Sequence, residues 1–171
     1  MPKVYKIRRA IVIPLAFSCL FQVVLLLRAW LLPSLPGERL VLTAIFLGVG
    51  YLLLDLSARQ ALLVDEGLQL RKFMGNKKLG WNEITHLGSL VMAAKVYLLL
   101  TTTKGFYILS NNYERFPELL RSLVGNISAE RIGEEVSRLL ANQLKNNQPV
   151  RSAWLLAAAT LVITVLRLFI F

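Results

Sequence analysis

Four cations, Arg71, Lys72, Lys77 and Lys78, flank Gly75-Asn76, and of all the residues in this chain they suggest a binding chemistry most directly. Glycine followed by or next to asparagine tolerates positive φ, so Gly75-Asn76 is expected to close a hairpin. Strands folded back around that turn bring cross-strand neighbours to about 5 Å. The four charges are then expected to form one patch that contacts anionic phospholipid headgroups or an acidic partner. The competing expectation is a solvated tip whose charge keeps the hairpin soluble.

Other reactive side chains do not form a catalytic set. Asp65, Glu66 and Glu83 fall at turns and strand ends, whereas general acid/base work needs facing carboxylates with shifted pKa values. His86 is the only histidine, and a metal site needs several converging ligands. Cys19, the only cysteine, lies inside an apolar run and cannot form an internal disulfide. Glycines 75, 80 and 88 do not have phosphate-cradle spacing before a helix. Thr101-Thr102-Thr103 is strand-forming composition, and Trp81 reads as aromatic packing at the end of a sheet. No enzyme activity, cofactor or metal is expected.

The elements that must position the hairpin are flanked by membrane-like sequence. Of the 171 residues, 56% are hydrophobic, against roughly 45–50% in soluble domains. The excess falls at 10–32, 40–58 and 152–171, which gives expected spans over 10–32, 40–57 and 150–171. Each run is near the roughly 20 apolar residues that cross a bilayer. Residues 1–9 form a basic N-terminus with Lys3, Lys6, Arg8 and Arg9, and 33–39 form a turn with Pro33, Pro36 and Gly37. The first run is too long for a signal h-region, and Leu15-Ala16-Phe17-Ser18-Cys19 matches a lipobox poorly. The net charge of +10 suits an anionic membrane surface better than nucleic acid, given where the basic residues lie. By the positive-inside rule, the basic N-terminus and the segment after Arg59 are expected in the cytoplasm, with Arg28 and Arg167 reaching headgroups from near helix ends.

Between the spans the pattern changes to period two. Strands are expected at 60–64, around 68–74, 77–81, 84–92, 96–102 and 106–109, giving about five or six short antiparallel strands in a sheet that must curl to hide its edges. Phe116, Leu119, Leu120 and Leu123 then mark one helix. Ser128 is placed to cap a second over 129–146, striped by Ile132, Val136, Leu139, Leu140 and Leu144, with Glu134 and Arg138 as an i, i+4 pair. Asn146-Asn147-Gln148-Pro149 should stop it.

The "Val-Asp-Glu-Gly-Leu-x-Leu-Arg" opening, the basic hairpin, "Gly-Trp-Asn-Glu-Ile", "Val-Tyr-Leu-Leu-Leu-Thr" and "Asn-Tyr-Glu-Arg-Phe-Pro-Glu-Leu-Leu" together resemble the bacterial pleckstrin-homology-like domains over about residues 58–125. The resemblance implies a bent antiparallel sheet or partly open barrel of about seven strands, plugged at one end by a C-terminal helix, and often preceded by a membrane hairpin. The expected protein is an α+β membrane protein: basic terminus 1–9, transmembrane hairpin 10–57, domain 58–125, amphipathic connector 126–149 and transmembrane helix 150–171. Its expected role is non-catalytic. It presents a cytoplasmic domain at the bacterial inner membrane to a protein partner or anionic lipid. The alternative is an accessory subunit of a transporter or enzyme complex, for which small residues Ala153, Ala157, Ala158 and Ala159 allow close helix approach.

Overall fold

The computed structural model describes residues 3–33, 36–92, 95–141 and 148–169. In chain order its elements are β1 (Lys3–Lys6), α1 (Arg9–Leu31), α2 (Pro36–Ala58), β2 (Gln60–Val64), β3 (Gly67–Lys72), β4 (Gly75–Gly80), β5 (Ile84–Met92), β6 (Lys95–Thr102), β7 (Gly105–Ser110), α3 (Phe116–Asn126), α4 (Glu134–Ala141) and α5 (Gln148–Phe169). They form two units: residues up to Arg8 with Ala58–Pro149, and Arg9–Ser57 with Val150–Phe171.

Among its described residues the helical unit contains three helices, α1, α2 and α5, each long and apolar enough to cross a membrane. Some of their polar side chains are paired in ways that suit low dielectric, while the buried Gln22 Oε1 has no hydrogen-bond partner among the described residues. Thr160 donates its hydroxyl to the Leu156 carbonyl at 2.8 Å, which leaves its oxygen to accept from buried Ser18 at 3.0 Å. Ala153 and Ala157 are buried within the unit, whereas Ala158 and Ala159 face outward. Arg39 donates Nε–H to the Ala29 carbonyl at 2.9 Å and lies over the Trp30 ring. Arg167 forms a 2.9 Å ion pair with Glu38, so it has a protein partner beyond any headgroup contact. The turn expected over 33–39 is narrower, because Pro36 is the first residue of α2, where its missing N–H costs nothing.

Among its described residues the β unit has seven strands where five or six were expected, in two antiparallel sheets ordered β1-β2-β3-β4 and β5-β6-β7. The added strand is β1, drawn from the basic N-terminus. Tyr5 and Ile7 are buried, and Lys6 faces out, so period two continues through the charges. Beyond β1 the chain also pairs with the segment between β7 and α3. Ile7 bridges Tyr113, the Glu114 N–H donates to Lys6 O at 2.7 Å, and the Arg8 N–H donates to Asn112 O at 2.9 Å. These bonds tie the segment after β1 to the segment that follows β7.

The core follows the expected alternation. Leu68, Leu70, Leu79, Leu98, Leu100 and Leu109 are buried, as are Phe116, Leu119, Leu120 and Leu123 along one stripe of α3. Each such side chain contributes about 1.5–3 kcal/mol by leaving water. The second connector helix begins later than expected. Residues 129–131 form a single 3-10 turn, Ser128 makes no side-chain cap, and Ile132 bridges Leu87 while Gly133 donates its N–H to Leu87 O at 2.8 Å. The exposed edge of β5 takes these residues as a partner, so α4 starts only at Glu134. Leu144 and the Asn146-Asn147 part of the expected stop lie outside the described residues, while Gln148 and Pro149 already open α5.

Three hairpins share one construction: two loop residues followed by glycine. Val64 pairs Gly67 across Asp65-Glu66, Lys72 pairs Gly75 across Phe73-Met74, and Thr102 pairs Gly105 across Thr103-Lys104. The turn expected at Gly75-Asn76 is therefore at Phe73-Met74, and Gly75 opens β4. Glycine is needed because φ is +159° at Gly67 and +136° at Gly105, values other residues rarely adopt. At Gly67 space forbids a side chain as well, since a Cβ there would lie 2.0 Å from the Leu79 carbonyl oxygen. Gly67→Ala is expected to lower the melting temperature of the detergent-solubilised protein by at least about 4 °C, while Gly88→Ala, with only ordinary contacts around its new methyl, shifts it far less. Circular dichroism melting of both variants checks this.

Candidate functional site

The register divides the four hairpin cations between two faces. Gln69 pairs Lys78 and Arg71 pairs Asn76 on one face; Leu70 pairs Lys77 and Lys72 pairs Gly75 on the other. Arg71 and Lys78 are thus diagonal neighbours on the side away from Leu68, Leu70 and Leu79, and Lys72 and Lys77 are diagonal neighbours on the core side, Lys77 opposite buried Leu70 and Lys72 one step beyond it toward the turn. All four are exposed. The hairpin brings them to one tip without joining them on one surface, because side chains alternate across a strand. Between the pairs stand Phe73, 49% exposed, and Met74, 81% exposed.

The position of this tip in the sheet follows from pairing alone. Lys6 pairs Gln60, Gln60 pairs Arg71, and Arg71 pairs Asn76, which makes one transverse row. Lys6 is three residues before α1 and Gln60 two residues after α2. The Phe73-Met74 tip therefore extends past the end of the sheet at which the chain passes into and out of the apolar helices.

A second surface was not legible as a site in the sequence. On the outer face of the β5-β6-β7 sheet, His86 pairs Thr101, Gly88 pairs Leu99, Leu90 pairs Tyr97, and Thr101 and Leu99 pair Phe106 and Ile108. Phe106 is 80% and Ile108 60% exposed, and Leu90 and Met92 are exposed too. An open groove of about 410 Å³ crosses this face, lined by His86, Gly88, Leu99, Phe106, Ile108 and Glu135. Its walls are mainly apolar, with His86 and Glu135 as the polar end. The signal available in the sequence was Phe106-Tyr107-Ile108, apolar on both strand faces.

The remaining candidates serve the framework. Trp81 is half-buried and donates Nε1–H to the Asp65 carbonyl at 3.1 Å, tying two turns together. Among the described residues, no group of three or more His, Cys, Asp or Glu could hold a metal ion. Glu83 accepts the Gly80 N–H at 3.2 Å and forms an ion pair with Lys104. The Lys104 hydrogen bond, followed by the Gly80 N–H, holds the Glu83 carboxyl below its ordinary value of 4.5. The same hydrogen bond to Glu83 raises Lys104 above 10.5. No protein-family model, curated protein or solved structure matches the chain.

The signs of these shifts fix a pH window. A lowered carboxyl stabilises the fold above its ordinary pKa and loses that contribution as pH falls through the folded value; a raised lysine contributes below its ordinary pKa and loses it as pH rises through the folded value. Glu83→Gln is expected to lower the melting temperature by a few degrees at most at pH 7, since exposed pairs are weak, and the difference from the parent should vanish well below pH 4.5. Thermal melts of the two proteins across pH test both parts.

Proposed function

We propose that this chain is a membrane-anchored, non-catalytic interaction protein, whose pleckstrin-homology-like β unit presents the outer face of the β5-β6-β7 sheet to a protein partner. The observation that carries this reading is the exposure of Phe106, Ile108, Leu90 and Met92 together on one sheet face. The solvent side of an antiparallel sheet is normally polar, and contiguous exposed apolar side chains mark interaction surfaces. The family reading is supported by a meander of four strands, then one of three, then the helix α3.

The topology reading is an inner-membrane protein with its β unit in the cytoplasm. It is supported by the basic residues at 3–9 and by pairing of β1 with β2, which favours both ends of the α1–α2 segment on one side, as two crossings require. In the second reading, an accessory subunit of a transporter or enzyme complex, the helices bind the partner through outward Ala158 and Ala159.

Purification of the full chain in mild detergent distinguishes them. The first reading expects a stoichiometric protein that co-purifies with the parent and is lost from Phe106→Asp/Ile108→Asp, with the variant's melting temperature little changed because both side chains are already exposed. A partner retained by that variant and lost from Ala158→Leu/Ala159→Leu supports the second reading. A parent protein that purifies without any stoichiometric partner contradicts both.

A further inference from the structure

We infer that the β3–β4 hairpin is a tip-first membrane foot, which places Phe73 and Met74 in the interface of the anionic bilayer that holds the helices. This rests on the reading of α1, α2 and α5 as membrane spans and adds a contact which that reading does not require.

Three observations converge on it. Phe73 and Met74 are exposed apolar residues at the extreme end of a two-residue turn. Arg71 and Lys78 lie on one face of the hairpin and Lys72 and Lys77 on the other, so cations surround the apolar tip. The row Lys6, Gln60, Arg71 and Asn76 places that tip past the sheet end where the chain leaves for the apolar helices.

The split of charge between the faces decides the mode. A hairpin lying flat would offer two cations to the headgroups and hold two away from them. Inserted end-on, it sets all four at headgroup level while the aromatic ring and thioether go deeper, the arrangement amphipathic interfacial segments adopt. A binding pocket for one headgroup would need convergent side chains, and these diverge across the strand. The recognised chemistry is thus negative surface charge over an apolar layer. Its contribution falls within a Debye length, about 8 Å at physiological ionic strength, so the tip must sit at the surface.

The test uses the full chain in nanodiscs with Cys19→Ser and a spin label at Met74→Cys, compared with a label at Glu66→Cys in the turn at the opposite end of β3. Resistance to alkaline extraction from membranes reports separately whether the helices are integral; loss of the protein there overturns the span reading and the foot with it. In discs containing phosphatidylglycerol, the label at 74 is expected to be protected from a water-soluble nickel relaxant and accessible to oxygen, with 66 showing the reverse. Lys72→Gln/Lys77→Gln, which alters only exposed side chains, should shift the docked-to-free ratio of the tip toward free by about tenfold or more. Equal nickel accessibility at 74 and 66 in an integral protein overturns the foot. Protection at 74 that is identical in phosphatidylcholine discs and unaffected by the double substitution overturns its anionic character.

Discussion

The pairing of β1 with β2 is the constraint on which the rest of this structure depends. Four residues that precede α1 complete a sheet whose other strands follow α2, and the same segment reaches residues 112–114 beside the second sheet. Without it β2 would be an open sheet edge. The intervening helices cost little in closure entropy, since each doubling of a loop adds only about 0.6 kcal/mol. In return, buried Tyr5 and Ile7 join the core, and the strand before α1 and the strand after α2 are fixed side by side in one sheet.

That fixation gives the β3–β4 hairpin its direction. In a hairpin attached by one flexible linker, four cations and two apolar residues would describe only a soluble tip. Here the register running from Lys6 through Gln60 to Arg71 sets the tip past the end of the sheet where the chain joins the helices. The outer face of the other sheet, with Phe106 and Ile108, carries no such tie through strand pairing. The two surfaces therefore suit different tasks on the proposed reading, one for the bilayer and one for a partner.

Much of this architecture could be read from the sequence because it rests on periodicity. The apolar runs match α1, α2 and α5 closely, and Phe116, Leu119, Leu120 and Leu123 are the buried stripe of α3. Strands β2, β5, β6 and β7 lie within about a residue of the alternating segments. The failures have physical causes. In 3–9, four positive charges masked the alternation of Tyr5 and Ile7 that makes a strand. Gly75-Asn76 resembled a turn, but the governing pattern was two residues then glycine, repeated in Asp65-Glu66-Gly67, Phe73-Met74-Gly75 and Thr103-Lys104-Gly105. Ile132 fitted a helical stripe, yet the open edge of β5 claimed it, and no local pattern announces a tertiary edge. The division of the cations between two faces also needed the register, since composition cannot say which neighbours share a face.

The most direct measurement of the central constraint is disulfide formation in native membranes between Val4→Cys and Leu62→Cys, with Cys19→Ser. These residues are paired on the outer face of the sheet, at a separation that a disulfide spans. Rapid, near-complete crosslinking is expected under mild oxidation, and none between Val4→Cys and Glu66→Cys. Absence of the 4–62 crosslink in a folded protein would contradict the clamp, and with it the direction assigned to the hairpin tip.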